Sequence, residues 1–152
     1  MANDSAEDTL EHIRKVQVRL QTICNNLTVR AAHHDESKLT EPEKAILDAK
    51  AGVLAELRYG TPEYAAAMAS VDMQPFLRHH YAQNPHHPQF YPNGIAGMSL
   101  PDIIEMLCDW AAAGERMKEG SLAVLLVHNK ERFGIDDQLF SILVNTVREL
   151  GW

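Results

Sequence analysis

The chain is short of cysteine, of net positive charge and of long apolar runs, and each shortage narrows what it can be. Of its 152 residues only two are cysteine, Cys24 and Cys108. They form no CxxC pair and no zinc-finger spacing, which argues against a disulfide scaffold and a cysteine-based zinc module. Both lie in helix-like apolar stretches and read as reduced core residues. The formal net charge is -7, which argues against broad electrostatic attachment to nucleic acid or to an anionic membrane surface. A small anionic substrate stays admissible, because a bound metal outweighs distant surface charge locally. No apolar run approaches the roughly 20 residues of a membrane span. The N-terminal stretch is acidic and polar, unlike a secretory signal, so cytoplasm is the expected compartment. No repeat, linker or low-complexity segment stands out. The length suits one domain, 1–152, with a core of its own.

Helical periodicity runs through most of the chain. Leu10, Ile13, Val16, Leu20, Ile23 and Leu27 recur at spacings of three and four, predicting an amphipathic helix from Ser5 to about Ala32. Thr40-Glu-Pro-Glu43 reads as a helix start capped by Thr40, running to about Tyr59 and stopping at Gly60. Thr61-Pro-Glu-Tyr64 starts another, through about Ala69, and a short helix spans about Met73 to Ala82. Gln83 to Leu100 holds Pro85, Pro88, Pro92, Gly94 and Gly97 and is therefore loop; an ordered loop of this length is more often functional than idle. Ser99 caps a helix through about Arg116, and Ser121 to Phe133 forms another, stopped by Gly134. Asp136 opens a last helix with Leu139, Ile142, Leu143, Thr146 and Leu150 as its buried stripe. The expected fold is all-α. Met68, Met73, Met98, Met106 and Met117 fit core filling.

Histidine is what the chain has in abundance: eight residues, most of them in the clusters His33-His34-Asp35, His79-His80 and His86-His87. A neutral imidazole binds divalent cations at neutral pH, and carboxylates beside it add oxygen ligands. His34 and Asp35 point in different directions from neighbouring backbone positions, so they can grip a metal from two sides, and Asp35 has two oxygens with which to bridge two ions. Asp109 can close the ligand set. His80, His86 and His87 can serve a second ion or contact phosphate oxygens. Asp109 lies nearly opposite the apolar stripe of Ile103, Leu107, Trp110 and Gly114, so a ligand role requires that helix to be buried on both sides. Without a site, His79-His80 reads as a helix end, His86-His87 as turn residues, and Asp109 as part of a solvated acidic face with Asp102 and Glu105. His33 reads as a surface residue or one supporting a ligand.

His12, His34-Asp35-Glu-Ser37-Lys38, His79-His80-x3-Asn84-Pro85-His86-His87-Pro88 and Glu105-Met-Leu-Cys-Asp109-Trp110 together resemble the HD-domain metal-dependent phosphohydrolase superfamily. The likeness is greater to a small HD-like family found in bacteria and phages, and it spans about Glu11 to Trp110. It implies an HD-like helical bundle in which His12, His34, Asp35 and Asp109 bind a principal metal. His80 and His87, with or without His86, would match the extra histidines of two-metal members. The gap between the two histidine pairs is shorter than in those enzymes, so the choice within each pair stays open. The implied cofactor is one or two divalent ions among Mn, Fe, Co, Mg, Ni and Zn. The implied activity is hydrolysis of a nucleotide or related small phosphate ester by a metal-activated water.

In that chemistry Asp35, Lys38 and Glu105 are the candidate catalytic residues. Lys38, Arg78, Asn84 and His86 are the candidate substrate contacts. Glu105 lies one turn before Asp109, where it can orient a ligand histidine or accept the water proton. Tyr81, Phe90 and Tyr91 can wall a base or sugar pocket, or simply pack the long loop. Two other functions fit the same residues. One is a di-iron oxygenase on the HD fold; the other is a non-catalytic regulatory domain holding a metal or ligand. Leu-rich C-terminal helices and Trp152 leave a homodimer open.

Overall fold

A computed structural model describes residues 5–57, 61–115 and 122–152. Among the described residues there are seven α-helices and no strand, so the fold is all-α. In chain order the helices are α1 (Ser5–His33), α2 (Glu43–Glu56), α3 (Pro62–Met68), α4 (Gln74–Gln83), α5 (Leu100–Glu115), α6 (Leu122–Phe133) and α7 (Asp137–Leu150). Single 3-10 turns occupy Glu36–Leu39, Val71–Met73, Pro88–Phe90 and Gly94–Gly97. The expected helix ends at Tyr59, Gly60 and Arg116, the start at Ser121, and Met117 lie outside the described residues. No helix among the described residues is long and apolar enough to cross a membrane.

By their contacts the residues fall into two compact units, Met1–His34 and Asp35–Trp152. The first is essentially α1. No residue of this helix is buried, and Leu10, Ile13, Val16, Leu20 and Ile23 are exposed. The apolar periodicity is present without the burial it was expected to bring.

The second unit starts its helices much as the sequence suggests. The Thr61 hydroxyl accepts the backbone N–H of Tyr64 at 3.3 Å, and the Asp136 carboxylate accepts that of Leu139 at 2.8 Å. At the start of α5, Ser99 and Asp102 cap reciprocally. The Ser99 N–H donates to Asp102 Oδ2 at 2.7 Å, and the Asp102 N–H donates to Ser99 Oγ at 3.4 Å. Thr40 does not cap α2. Its hydroxyl donates back to the Ser37 carbonyl at 3.2 Å, and the helix begins after Pro42 with no side-chain cap.

The main core joins α5, α6 and α7 through Met106, Leu107, Trp110, Leu122, Leu126, Ile135 and Leu143. Trp110 stacks on Phe133, with ring centroids 6.0 Å apart. Of the expected α7 stripe only Leu143 is fully buried and Leu139 packs beside it; Ile142 and Leu150 are exposed. The inward face carries Phe140, Val144 and Val147 instead, a rotation set by how α6 meets α7 rather than by hydrophobicity alone. Cys24 and Cys108 are free but exposed, not core residues. Leu126 is 2% exposed, so Leu126→Ala should lower unfolding free energy by roughly 2–5 kcal/mol in a urea titration. A loss under about 0.5 kcal/mol, the level of an ordinary surface change, would move the core elsewhere.

Candidate metal centre

The site in the second unit begins at a strained residue. Asp35 holds a left-handed backbone, with φ of 56°, a conformation Asp and Asn tolerate better than other side chains. Its carbonyl accepts the Lys38 N–H at 2.9 Å, closing a tight turn. Its Oδ2 accepts from Lys38 Nζ at 2.5 Å. Its Oδ1 is shut off from solvent and faces two imidazoles, 3.4 Å from His80 Nε2 and 3.5 Å from His86 Nε2.

Helix α4 supplies the next group. Phe76, His80 and Asn84 follow at intervals of four and so share one face. All three are buried, and the Phe76 and His80 rings stack 5.3 Å apart. The helix stops at Gln83, and Asn84 folds its amide back to donate to the His80 carbonyl at 2.8 Å. Pro85 and Pro88 then hold the turn that returns His86 and His87 towards His80. The long loop is therefore ordered around these two rings. His86 is 1% exposed, and His87 Nε2 lies 2.8 Å from His80 Nε2.

Helix α5 closes the site. Its acidic residues Asp102, Glu105 and Asp109 share a face, and that face is not solvated: Asp102 is buried, while Glu105 and Asp109 are partly so. Asp102 serves the helix cap and accepts the Tyr91 hydroxyl at 2.8 Å. Glu105 Oε1 lies 3.2 Å from His86 Nδ1, where it accepts that ring's N–H and leaves the Nε2 lone pair facing Asp35. Asp109 and Asp35 bring carboxylate oxygens within 4.8 Å of each other. The helix is thus covered on both sides, as a ligand role for Asp109 requires.

The imidazoles of His80 and His87 are kept neutral. Burial is the largest influence on His87, followed by the neighbouring His86 and His80; together they push its pKa down to about 3 against the opposing pull of Asp109 and Asp35. Burial, then Lys38, lowers His80 as well, although Asp35 and Glu43 oppose the shift. Two neutral imidazole nitrogens 2.8 Å apart need a proton or a cation between their lone pairs. Two nitrogens each at about 2.1 Å from one metal stand roughly 3.0–3.4 Å apart, so this pair would open by a few tenths of an ångström to share an ion. One ligand atom from each of Asp35, His80, His86 and His87 lies within 4.8 Å of the other three. These residues fit a divalent ion.

Depressed histidine pKa values also set a pH dependence for the metal-free protein. The unfolded chain binds protons at these rings below about pH 6.5, whereas folded His87 resists them down to about 3. The stability contribution is complete above about pH 6.5 and is lost progressively as pH falls towards 3. Thermal melts in chelator should therefore show a lower Tm at pH 5 than at pH 7.5; equal or higher stability at pH 5 would contradict the burial of these rings.

The structure sorts the residues singled out from the sequence. Asp35, His80, His87, Glu105 and Asp109 come together, and His86, expected at the substrate, joins the metal-capable group. Asn84 is buried, and its amide nitrogen donates to the His80 carbonyl and to Ser37 Oγ at 2.9 Å. Arg78 is exposed; two residues from His80 is about 200° around a helix, which points it away. Lys38 sits on Asp35. His79 turns to Glu43 rather than to the cluster. His12 and His33 lie exposed on α1, and His34 ends the first unit. Tyr81 packs against the His87 ring and Phe90 against Tyr91. Sequence reasoning missed Glu43, which is fully buried against His79 and His80.

An all-helical protein with a buried histidine–carboxylate cluster is the class that this fold and site define. Residues 1–149 match the model of a family of unknown function, DUF5662, and the chain belongs to that family. The family description carries no activity and makes no link to the HD-domain superfamily. No curated protein and no solved structure matches the chain.

Proposed function

We propose that this protein is a cytoplasmic phosphohydrolase dependent on a divalent metal, acting on a nucleotide or a related small phosphate ester. The observation that carries the reading is the convergence of Asp35, His80, His86 and His87 ligand atoms within 4.8 Å. The HD-domain likeness of the motif order adds the reaction class, with Asp109 as a further ligand. A donor set rich in imidazole favours Mn, Fe, Co, Ni or Zn over Mg, which prefers oxygen.

A divalent ion bound there supplies a water of lowered pKa and neutralises phosphoryl oxygens. The chain's own residues do the positioning. Asp35 presents Oδ1 to the imidazoles while Lys38 pins Oδ2. The Lys38 ammonium has three donor hydrogens and spends one on Asp35, which leaves two for a phosphate oxygen. Glu105 holds the His86 proton on Nδ1 and so keeps Nε2 available.

The test is elemental analysis of purified protein, followed by a screen of nucleotides and generic phosphate esters with added Mn2+, Co2+ or Mg2+. Bound metal and phosphate release that chelator abolishes are the expected results. Iron with charge-transfer absorbance and oxygen consumption would replace the hydrolase with an oxygenase. Metal uptake without turnover of any ester would replace it with a binding domain.

A further inference from the structure

Glu43 is the most deeply buried charged residue described, with 0% exposure. It begins α2, and α2 packs on α4 and on the 3-10 turn Glu36–Leu39. Burying a carboxylate is costly without strong partners, and the partners here are specific. Oε1 lies 2.8 Å from His79 Nδ1 and Oε2 lies 2.9 Å from His80 Nδ1.

The hydrogen bonds decide the His80 tautomer. An ionised carboxylate only accepts, so the His80 proton belongs on Nδ1. The Asn84 amide nitrogen also lies 3.0 Å from Nδ1. Both its hydrogens already go to the His80 carbonyl and to Ser37 Oγ, so it has none to give the ring. With Nδ1 protonated, the lone pair of His80 is on Nε2, the atom facing Asp35 and His87.

We infer that Glu43 is the positioning residue of the metal centre, fixing the tautomer and orientation of His80 and raising the basicity of its Nε2 through the ring. The inference rests on the metal-centre reading above. A carboxylate behind a ligand histidine both aims the ring and strengthens its lone pair. Glu105 stands behind His86 in the same relation, so a buried and a partly buried carboxylate brace two imidazoles from opposite sides of the sequence. His79 uses the outer oxygen of Glu43 and reaches the surface, 34% exposed at its side chain, which fixes the carboxylate rather than the metal.

The experiment compares the full-length wild type with Glu43→Gln, an isosteric change that removes the charge. Co2+ alone is the probe, titrated by calorimetry and by its visible absorption. Long-range 15N–1H correlation spectra of the metal-free proteins report the tautomer. The expected results are His80 as the pure Nδ1–H tautomer in the wild type, a mixture in Glu43→Gln, and Co2+ affinity roughly 10- to 100-fold weaker in the variant. Unchanged tautomer and affinity in a folded variant would overturn the inference and leave the metal reading standing. A wild type that takes up no Co2+ overturns the metal reading, and this inference with it. Should Glu43→Gln not fold, the wild-type spectrum decides: Nδ1–H supports the inference and Nε2–H overturns it.

Discussion

Asp35→Asn is expected to weaken divalent-metal binding at least about 100-fold, the upper range for losing a ligand's support and the minimum for losing the ligand, while leaving the helices intact. The choice of Asn follows from the backbone. Asp35 sits at φ 56°, where alanine costs roughly 1 kcal/mol or more and asparagine is tolerated. Asn therefore keeps the turn that ends in the Lys38 N–H bond and removes only the anionic oxygens. It also frees the Lys38 ammonium from its ion pair, which adds a repelling positive charge near the site. Calorimetric titration with Mn2+ or Co2+, alongside circular dichroism, measures both halves. A folded Asp35→Asn protein that binds metal within about threefold of wild type would remove Asp35 from the ligand set.

Metal addition should stabilise the folded protein strongly, because the ligands converge only in the native chain. At a free metal concentration about 1,000 times Kd the gain is about 4 kcal/mol, and at about 100 times Kd it is about 2.7 kcal/mol. For a chain of this size the larger value is a Tm rise of roughly 8–16 °C. Chelator should reverse it. His86→Ala should remove most of the rise, since His86 is nearly sealed from solvent and aims Nε2 at Asp35. Differential scanning fluorimetry with and without metal is sufficient; a rise preserved in His86→Ala would place the ion elsewhere.

The helices and the histidines and carboxylates of the cluster are legible in the sequence for different reasons. Caps at Thr61, Ser99 and Asp136 are local: the hydroxyl or carboxylate meets the N–H three residues on. The His-Asp pair and the two histidine pairs stand out because such residue types rarely crowd together without a shared ligand or partner. What is not legible depends on packing between elements. By sequence Glu43 is an ordinary acidic residue at a helix start, favoured there by the dipole; only the approach of α4 buries it. The choice of His80 over His79 comes from which side of α4 meets Asp35. The inward face of α7 escapes the sequence because Ile142 and Leu143 are equally apolar, and their neighbours alone decide which is covered. Cys108 follows the same rule, being apolar by type yet exposed beside Asp109.

The most direct measurement of the central claim is X-ray absorption fine structure at the metal edge of Co2+- or Zn2+-loaded protein. Convergence of Asp35, His80, His86 and His87 predicts two or three imidazole nitrogens with oxygen at about 2.0–2.2 Å, with the outer-ring scattering that imidazole gives. A shell of oxygen alone, without imidazole scattering, would contradict it.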